Sequence, residues 1–168
     1  MSDSMLYFFG AILLLVVLKL LFGKNNAAGQ PYKYVLNKTL FTPAERSFLG
    51  VLDLAVTDQY RIFGKVRIAD ILLPAKGLNK SDWQTAFNQV SSKHFDFVLC
   101  NRQTLEVIAV IELDDKSHQK AKTQNRDSLI ASACATAGLP LVRFTAQSSY
   151  QVTEIQQKIQ TELTAKSD

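Results

Sequence analysis

The sequence is poor in cysteine, glycine and proline, and each shortage excludes a class of protein. Its 168 residues include only two cysteines, Cys100 and Cys134, which are too few for a disulfide framework or a cysteine-built zinc site. Seven glycines and four prolines give no fibrous bias. The excess of 19 Lys and Arg over 15 Asp and Glu is small, and 47% of the residues are apolar, which excludes a disordered chain. The length predicts one globular domain with a short appendage.

No lysine or arginine precedes the long apolar run near the N-terminus. Residues 5–18 carry no charge, and a helix over residues 5–22 would be about 27 Å long, close to the thickness of a bilayer's hydrocarbon core. We expect residues 1–22 to form a single transmembrane anchor, followed by a polar linker over residues 23–39. Two alternatives stay open: a cleaved signal peptide, which should have a basic n-region, and a buried core helix, which should be amphipathic.

The charges around this segment predict its orientation. Four lysines lie at its end or after it, namely Lys19, Lys24, Lys33 and Lys38. The positive-inside rule then places the rest of the chain in the cytoplasm. We therefore expect a single-pass protein of the cell membrane whose soluble domain, residues 40–165, is cytoplasmic.

The remaining chain has the pattern of an α/β domain. Thr42, Pro43 and Glu45 supply the N-cap, the first-turn proline and the capping-box glutamate of a helix predicted over Pro43–Val56. Alternation and helical spacing predict the elements that follow. These are a strand over residues 60–73, a helix over 79–92 capped by Ser81 with Trp83 inward, strands over 95–100 and 105–113, a helix over 120–137, a strand over 139–144 and a helix over 152–163.

The first predicted strand alternates between basic and apolar positions. Its two predicted faces are Arg61, Phe63, Lys65 and Arg67 on one side, and Ile62, Val66 and Ile68 on the other. A strand with one solvent-exposed, basic face can bind the phosphates of a nucleic acid. We expect Arg61, Lys65 and Arg67 to contact DNA or RNA.

Acidic residues interrupt the two central strands. Asp96 lies inside one apolar run, and Glu112 and Asp114 lie at the end of the next. In an antiparallel hairpin, the residue numbers of each pair add up to the same value, and their midpoint lies in the turn. The midpoint of Asp96 and Glu112 is Thr104, which lies in the predicted turn, so we expect these two acids to be neighbours on adjacent strands. Carboxylates that converge at one end of a sheet repel each other unless a cation compensates. The pattern therefore predicts a site for a hard divalent ion such as Mg²⁺ or Mn²⁺.

Basic residues follow the acids closely. They are Lys116, His118, Lys120, Lys122 and Arg126. A metal-dependent phosphodiesterase needs acidic residues that bind a metal ion and basic residues around them that bind phosphate. Each residue also has an ordinary structural interpretation. Asp96 could sit at a strand end, Asp114 could start a loop, His118 could cap a helix, and the lysines could line a solvated face.

Residues 95–118 and 122–144 together resemble the PD-(D/E)XK nuclease superfamily. They are most similar to the branch of small domains related to very-short-patch-repair endonucleases. The matching positions are Asp96–Phe97, Glu112–Leu113–Asp114, His118, Arg126–Asp127, Gly138 and Val142–Arg143–Phe144. The resemblance implies a restriction-endonuclease-like αβββαβ core with a mixed sheet and Mg²⁺-dependent hydrolysis of DNA or RNA. It also implies that Asp96 and Glu112 bind the metal and that Glu45 is the acid of the first helix.

One position departs from the family pattern. The lysine of the core motif is Asp114 here, so His118 or Lys122 would have to act as the general base or the stabiliser of charge. His118 is preferred because an imidazole pKa near 6.5 suits proton transfer at neutral pH. Two functions follow from this departure: a membrane-tethered, metal-dependent nuclease, or an inactive nuclease-like fold that binds nucleic acid or protein at the membrane.

Overall fold

The computed structural model describes residues 7, 12–18, 32–114 and 121–165, with the backbone alone described at Thr57 and residues 121–126. The chain divides into two units, Met1–Asn37 and Lys38–Asp168. Tyr7 and residues 12–18 of the first unit are helical. Among the residues so described, no helix is long and apolar enough to cross a membrane. Most of the predicted anchor, residues 1–22, lies outside the described residues.

The second unit alternates helices and strands in the manner that the sequence predicts. Its helices are α1 (Pro43–Val56), α2 (Lys80–Ser91), α3 (Ala121–Thr136) and α4 (Val152–Thr164). Its strands are β1 (Tyr60–Arg67), β2 (His94–Asn101), β3 (Val107–Asp114) and β4 (Leu141–Thr145). Short 3-10 turns over Thr57–Gln59 and Ile68–Asp70 flank β1. The prediction of a mixed α/β domain is confirmed.

The four strands form one mixed sheet in the order β1–β2–β3–β4. Strands β1, β2 and β3 pair antiparallel, whereas β4 pairs parallel to β3 after the crossover through α3. Each central strand is covered on both faces, which explains why the sequences of β2 and β3 are apolar almost throughout.

Two apolar cores lie on the second unit's sheet. The first joins α1 and α4 to alternate strand residues and is centred on Phe48, Leu52, Phe97, Ile111 and Ile155. The second joins α2 and α3 to the sheet through Val90, Val98, Val110, Ile130 and Cys134. The side chains of Cys100 and Cys134 are both buried within the second core.

Three local predictions differ from the structure. Strand β1 ends at Arg67 rather than residue 73, because Ile68–Asp70 turn and the Ile68 amide donates to the Lys93 carbonyl at 2.9 Å. Asn79, not Ser81, caps α2 by accepting from the Asp82 amide at 2.9 Å. Trp83 is 36% exposed rather than inward, and its ring stacks on Phe87.

Gly64 allows a close contact that holds the middle of β1 against the first core. A Cβ atom at this position would overlap Cζ of Phe41, whose ring stacks on Phe97 with centroids 5.5 Å apart. We expect Gly64→Val to displace Phe41 and lower the free energy of unfolding by about 1–3 kcal/mol, the usual cost of overpacking. Denaturant unfolding measures this. Gly50→Val is the control, because nothing lies within 4 Å of a Cβ there; equal losses would contradict the proposed contact.

Candidate active site

The start of α1 fixes Glu45 by a reciprocal capping box. The Thr42 amide donates to Oε2 of Glu45 at 3.0 Å, and the Glu45 amide donates to Oγ1 of Thr42 at 3.3 Å. These bonds satisfy two of the free amides at the helix start, as the sequence predicts. They leave Oε1 of Glu45 directed to another partner, which is a lysine of the sheet.

Lys65 has a backbone conformation that breaks the alternation of β1. Its φ is 54°, in the left-handed region that residues other than glycine seldom adopt. Ile62 and Val66 would share a face of a regular strand, yet Ile62 packs against the first core and Val66 against the second. The left-handed residue therefore redirects the chain at this point. Strain of this kind costs about 1–2 kcal/mol and tends to occur at functional sites.

The Lys65 ammonium joins two carboxylates from different elements. Its Nζ lies 2.7 Å from Oε1 of Glu45 on α1 and 2.8 Å from Oδ1 of Asp96 on β2. The side chains are only 25%, 13% and 14% exposed, in the order Lys65, Glu45, Asp96. We call these three residues the acid–lysine cluster. Lys65 was predicted to lie on a solvent-exposed face that binds nucleic acid. The structure instead places it in part-buried ion pairs with Glu45 and Asp96.

Asp96 also connects β2 to β3. Its Oδ2 accepts a hydrogen bond from the Leu113 amide at 3.0 Å. The residue therefore uses one oxygen for the backbone of β3 and the other for Lys65. Its place inside an otherwise apolar strand is thus compensated by hydrogen bonds and charge.

Glu112 lies beside this cluster. Phe97 pairs with Ile111 and Val98 with Val110, and extending that register by one residue places Asp96 opposite Glu112. Side chains directly opposite in an antiparallel pair have Cβ atoms about 5 Å apart. Glu112 is 7% exposed and is the one charged residue classed as buried within the described ranges. The predicted register of the hairpin is confirmed up to a bulge between Leu99 and Cys100.

Asp114 forms an ion pair across the parallel strands. Nη1 of Arg143 lies 3.1 Å from Oδ1 and 3.3 Å from Oδ2 of Asp114. Arg143 pairs in register with Glu112 and donates to the Asp127 carbonyl at 3.3 Å. Asp114, which stands where the resemblance would place a lysine, is therefore bound to an arginine. The same contacts place Asp127 of α3 near the end of β3.

The other predicted basic residues differ in what the structure says of them. Arg61 is exposed on β1 and lines an open cleft of about 470 Å³ with Asp58, Tyr60 and Arg102. Nη2 of Arg67 lies 2.6 Å from Oδ1 of Asp70, so the Asp70 carboxylate partly neutralises the charge of Arg67. Lys116, His118 and Lys120 lie outside the described residues. Lys122 and Arg126 lie in the first turns of α3, of which only the backbone is described.

The metal ligands that the resemblance implies are the pair Asp96 and Glu112. Where the chain is described, no three side chains of histidine, cysteine, aspartate or glutamate are grouped to hold a metal ion. Asp96 and Glu112 remain a pair of hard oxygen donors on adjacent strands. Mg²⁺ is commonly bound through one or two carboxylates, with water and substrate phosphate completing the shell. The pair therefore fits such an ion, but not a cage built from protein ligands alone.

The cluster fixes the charge of Lys65. Partial burial lowers the pKa of Lys65, but hydrogen bonds from its ammonium to Asp96 and Glu45, and their charges, raise it above 10.5 overall. Partial burial likewise raises the pKa of Glu45, and the bonds to Lys65 and Thr42 more than offset this, so the value lies below 4.5. Lys65 is thus protonated at neutral pH, and can stabilise negative charge but cannot accept a proton.

These shifts predict how stability depends on pH. Folding lowers the pKa of the Glu45 carboxyl, so this group stabilises the folded protein above pH 4.5. That contribution is lost as the pH falls through the pKa of Glu45 in the folded protein. Folding raises the pKa of Lys65, so Lys65 stabilises the protein below pH 10.5, and its contribution is lost as the pH rises through its pKa in the folded protein. We expect Glu45→Gln to be less stable than wild type at pH 7 and the difference to shrink below pH 4.5. Denaturant unfolding across this range measures it, and a difference that did not change with pH would contradict the assignment.

The role of Lys65 was missed because strand alternation places it with Arg61 and Arg67. One signal in the sequence could have indicated it. Gly64 stands directly before Lys65 inside the predicted strand, and an isolated glycine in a strand often marks a bulge or a close backbone approach. Arg143 was noted only as part of the last strand's motif, and its pairing with Asp114 depends on a parallel register that the sequence does not reveal.

Comparisons with known proteins give a family without a function. A family model described as a protein of unknown function (DUF2726) matches residues 37–163, which is more than half of the chain. No curated protein and no solved structure matches the chain. Any function must therefore be inferred from the site itself.

Proposed function

The chain belongs to this family of unknown function (DUF2726), and from the site we propose that it is a metal-dependent nuclease that hydrolyses phosphodiester bonds of DNA or RNA. The observation that carries the proposal is the acid–lysine cluster, in which the Lys65 ammonium lies 2.8 Å from Asp96. Asp96 on β2 in turn lies opposite the buried Glu112 on the adjacent strand β3. Two acids and a lysine at one end of a sheet are the parts of the PD-(D/E)XK motif, with the lysine supplied by β1 rather than β3. A restriction-endonuclease-like core is part of this proposal.

Asp96 and Glu112 are the residues that would hold Mg²⁺ or Mn²⁺. The bound ion would polarise a phosphoryl oxygen and lower the pKa of a water molecule. Lys65 would place a fixed positive charge beside the phosphate as negative charge develops on its oxygens. Glu45 would keep the ammonium in position, because it holds Lys65 from the side of α1 at 2.7 Å.

The proton of the attacking water needs a different acceptor. Lys65 is protonated at neutral pH, so it does not fill this role. His118 remains the proposed general base and Lys122 its competitor, both from the sequence. Arg143 on β4 and the exposed Arg61 on β1 would add positive charge for the nucleic acid backbone.

A second function is favoured by one specific observation. Both carboxylate oxygens of Asp96 already accept hydrogen bonds within the protein, from Lys65 and from the Leu113 amide. An acid engaged in this way also suits a structural ion pair. The alternative is a nuclease-like fold without hydrolytic activity that binds nucleic acid or protein.

A cleavage assay separates these functions. Full-length protein in detergent is incubated with plasmid DNA, single-stranded DNA and RNA, with Mg²⁺ or Mn²⁺ and with a chelator. The nuclease proposal predicts cleavage of at least one substrate that the chelator abolishes. Binding of nucleic acid without cleavage under either metal would favour the alternative, and neither binding nor cleavage would remove both nucleic-acid functions.

Attachment to the membrane is proposed from the sequence alone. The uncharged run over residues 5–18 and the lysines after it predict one span with the C-terminus in the cytoplasm. A reporter that is active only in the cytoplasm, fused after Asp168, should be active, and the protein should sediment with membranes. A soluble protein, or one shortened by cleavage of its N-terminus, would contradict the anchor.

A further inference from the structure

Lys65 stands where a metal ion bound to Asp96 would need to be. Its ammonium lies 2.8 Å from Oδ1 of Asp96, while Oδ2 of the same residue is held by the Leu113 amide at 3.0 Å. A divalent ion would therefore approach Asp96 most readily through Oδ1. That oxygen already has a cationic partner, so the lysine and the ion compete for one ligand.

Both cations cannot keep full contact with Oδ1. An ammonium hydrogen-bonded to a carboxylate oxygen and a metal ion bound to the same oxygen would be only a few ångströms apart, where like charges repel. Of the two, the lysine is the one that can move. Its side chain is 25% exposed and its charge is carried on a flexible four-carbon stem.

Glu45 provides a second attachment that survives this movement. It binds the Lys65 ammonium at 2.7 Å from α1, independently of Asp96, and its own position is fixed by the capping box with Thr42. The ammonium can therefore leave Asp96 without leaving the site. It would then be held close to the phosphate that arrives with the ion.

We propose that Lys65 is a resident counter-ion of Asp96 that a divalent cation must displace, with Glu45 retaining the displaced ammonium in the site. The inference rests on the proposed metal site and adds a specific consequence to it. Wild-type protein binds the ion more weakly than a variant without the ammonium. The same change removes the charge needed for hydrolysis, so metal affinity and cleavage rate move in opposite directions.

Calorimetric titration of full-length protein with Mn²⁺ tests the exchange. Lys65→Met should bind Mn²⁺ about tenfold more tightly than wild type, a ratio that corresponds to about 1.4 kcal/mol. Lys65→Gly should do the same and is the second variant, because glycine adopts a φ of 54° without strain. Lys80→Met removes an exposed lysine at the start of α2 and should bind as wild type does.

The outcomes separate this inference from the proposed activity. Equal or weaker Mn²⁺ binding by both Lys65 variants would overturn the exchange even if wild type cleaves nucleic acid. Tighter binding by both variants, in a protein that cleaves nothing, would support the exchange and reject the nuclease. Absence of Mn²⁺ binding in wild type and in both variants would overturn the inference and the metal site together.

Discussion

Replacing Lys65 with methionine is expected to lower the rate of metal-dependent cleavage by at least about 100-fold. Loss of one group that stabilises transition-state charge commonly costs about 10²–10³-fold in rate. Methionine keeps most of the apolar stem and removes the ammonium that lies 2.7–2.8 Å from Glu45 and Asp96. The rate is measured at saturating Mn²⁺, so that a change in metal affinity does not affect it.

The same variant should remain folded, which keeps the test informative. Two part-buried carboxylates lose their shared cation, and we expect the free energy of unfolding to fall by about 1–3 kcal/mol. Lys80→Met is the matched control and should retain wild-type cleavage and stability. Cleavage by Lys65→Met within a few fold of wild type would show that Lys65 has only a structural role.

Replacing Asp96 with alanine is expected to have the largest combined effect on stability and activity. The Lys65 ammonium and the Leu113 amide both lose their acceptor. An unsatisfied part-buried donor costs about 1–3 kcal/mol, so we expect a loss of about 2–4 kcal/mol in the free energy of unfolding. Cleavage and Mn²⁺ binding should fall below detection, because a metal ligand is lost.

Asp96→Asn separates the two roles of this residue. Its amide oxygen can still accept from the Leu113 amide, so the loss of stability should be clearly smaller than for alanine. Its neutral side chain is a poor ligand for a hard divalent ion, so cleavage should be lost as completely. If Asp96→Asn cleaves normally, Asp96 serves the fold alone.

The sequence predicted the elements that depend on local chemistry. The start of α1 follows from Thr42, Pro43 and Glu45, whose capping contacts form without help from distant residues. The register of the central hairpin follows from a short turn, because few residues separate the strands. The apolar pattern of β2 and β3 placed them inside the sheet, where both are found.

The contacts that complete the site could not be predicted in this way. The left-handed conformation of Lys65 is unusual for a lysine. Strand alternation alone assigns Lys65 to the solvent-exposed face of β1. Its partner Glu45 is 20 residues away on a helix, so their contact depends on how α1 packs on the sheet. The pairing of Asp114 with Arg143 depends on the parallel crossover through α3, which sets a register over 29 residues.

The metal-dependent cleavage rate of full-length Glu112→Gln, measured beside wild type, decides whether Glu112 is part of a nuclease site. Glutamine keeps the shape of a 7% exposed side chain and removes its charge. Both proteins are prepared identically, so a contaminating nuclease would act equally in both. We expect cleavage by wild type that a chelator abolishes, and a rate at least about 100-fold lower in the variant. Equal rates in the two proteins, or no metal-dependent cleavage by wild type, would show that Asp96 and Glu112 do not form a metal-dependent nuclease site.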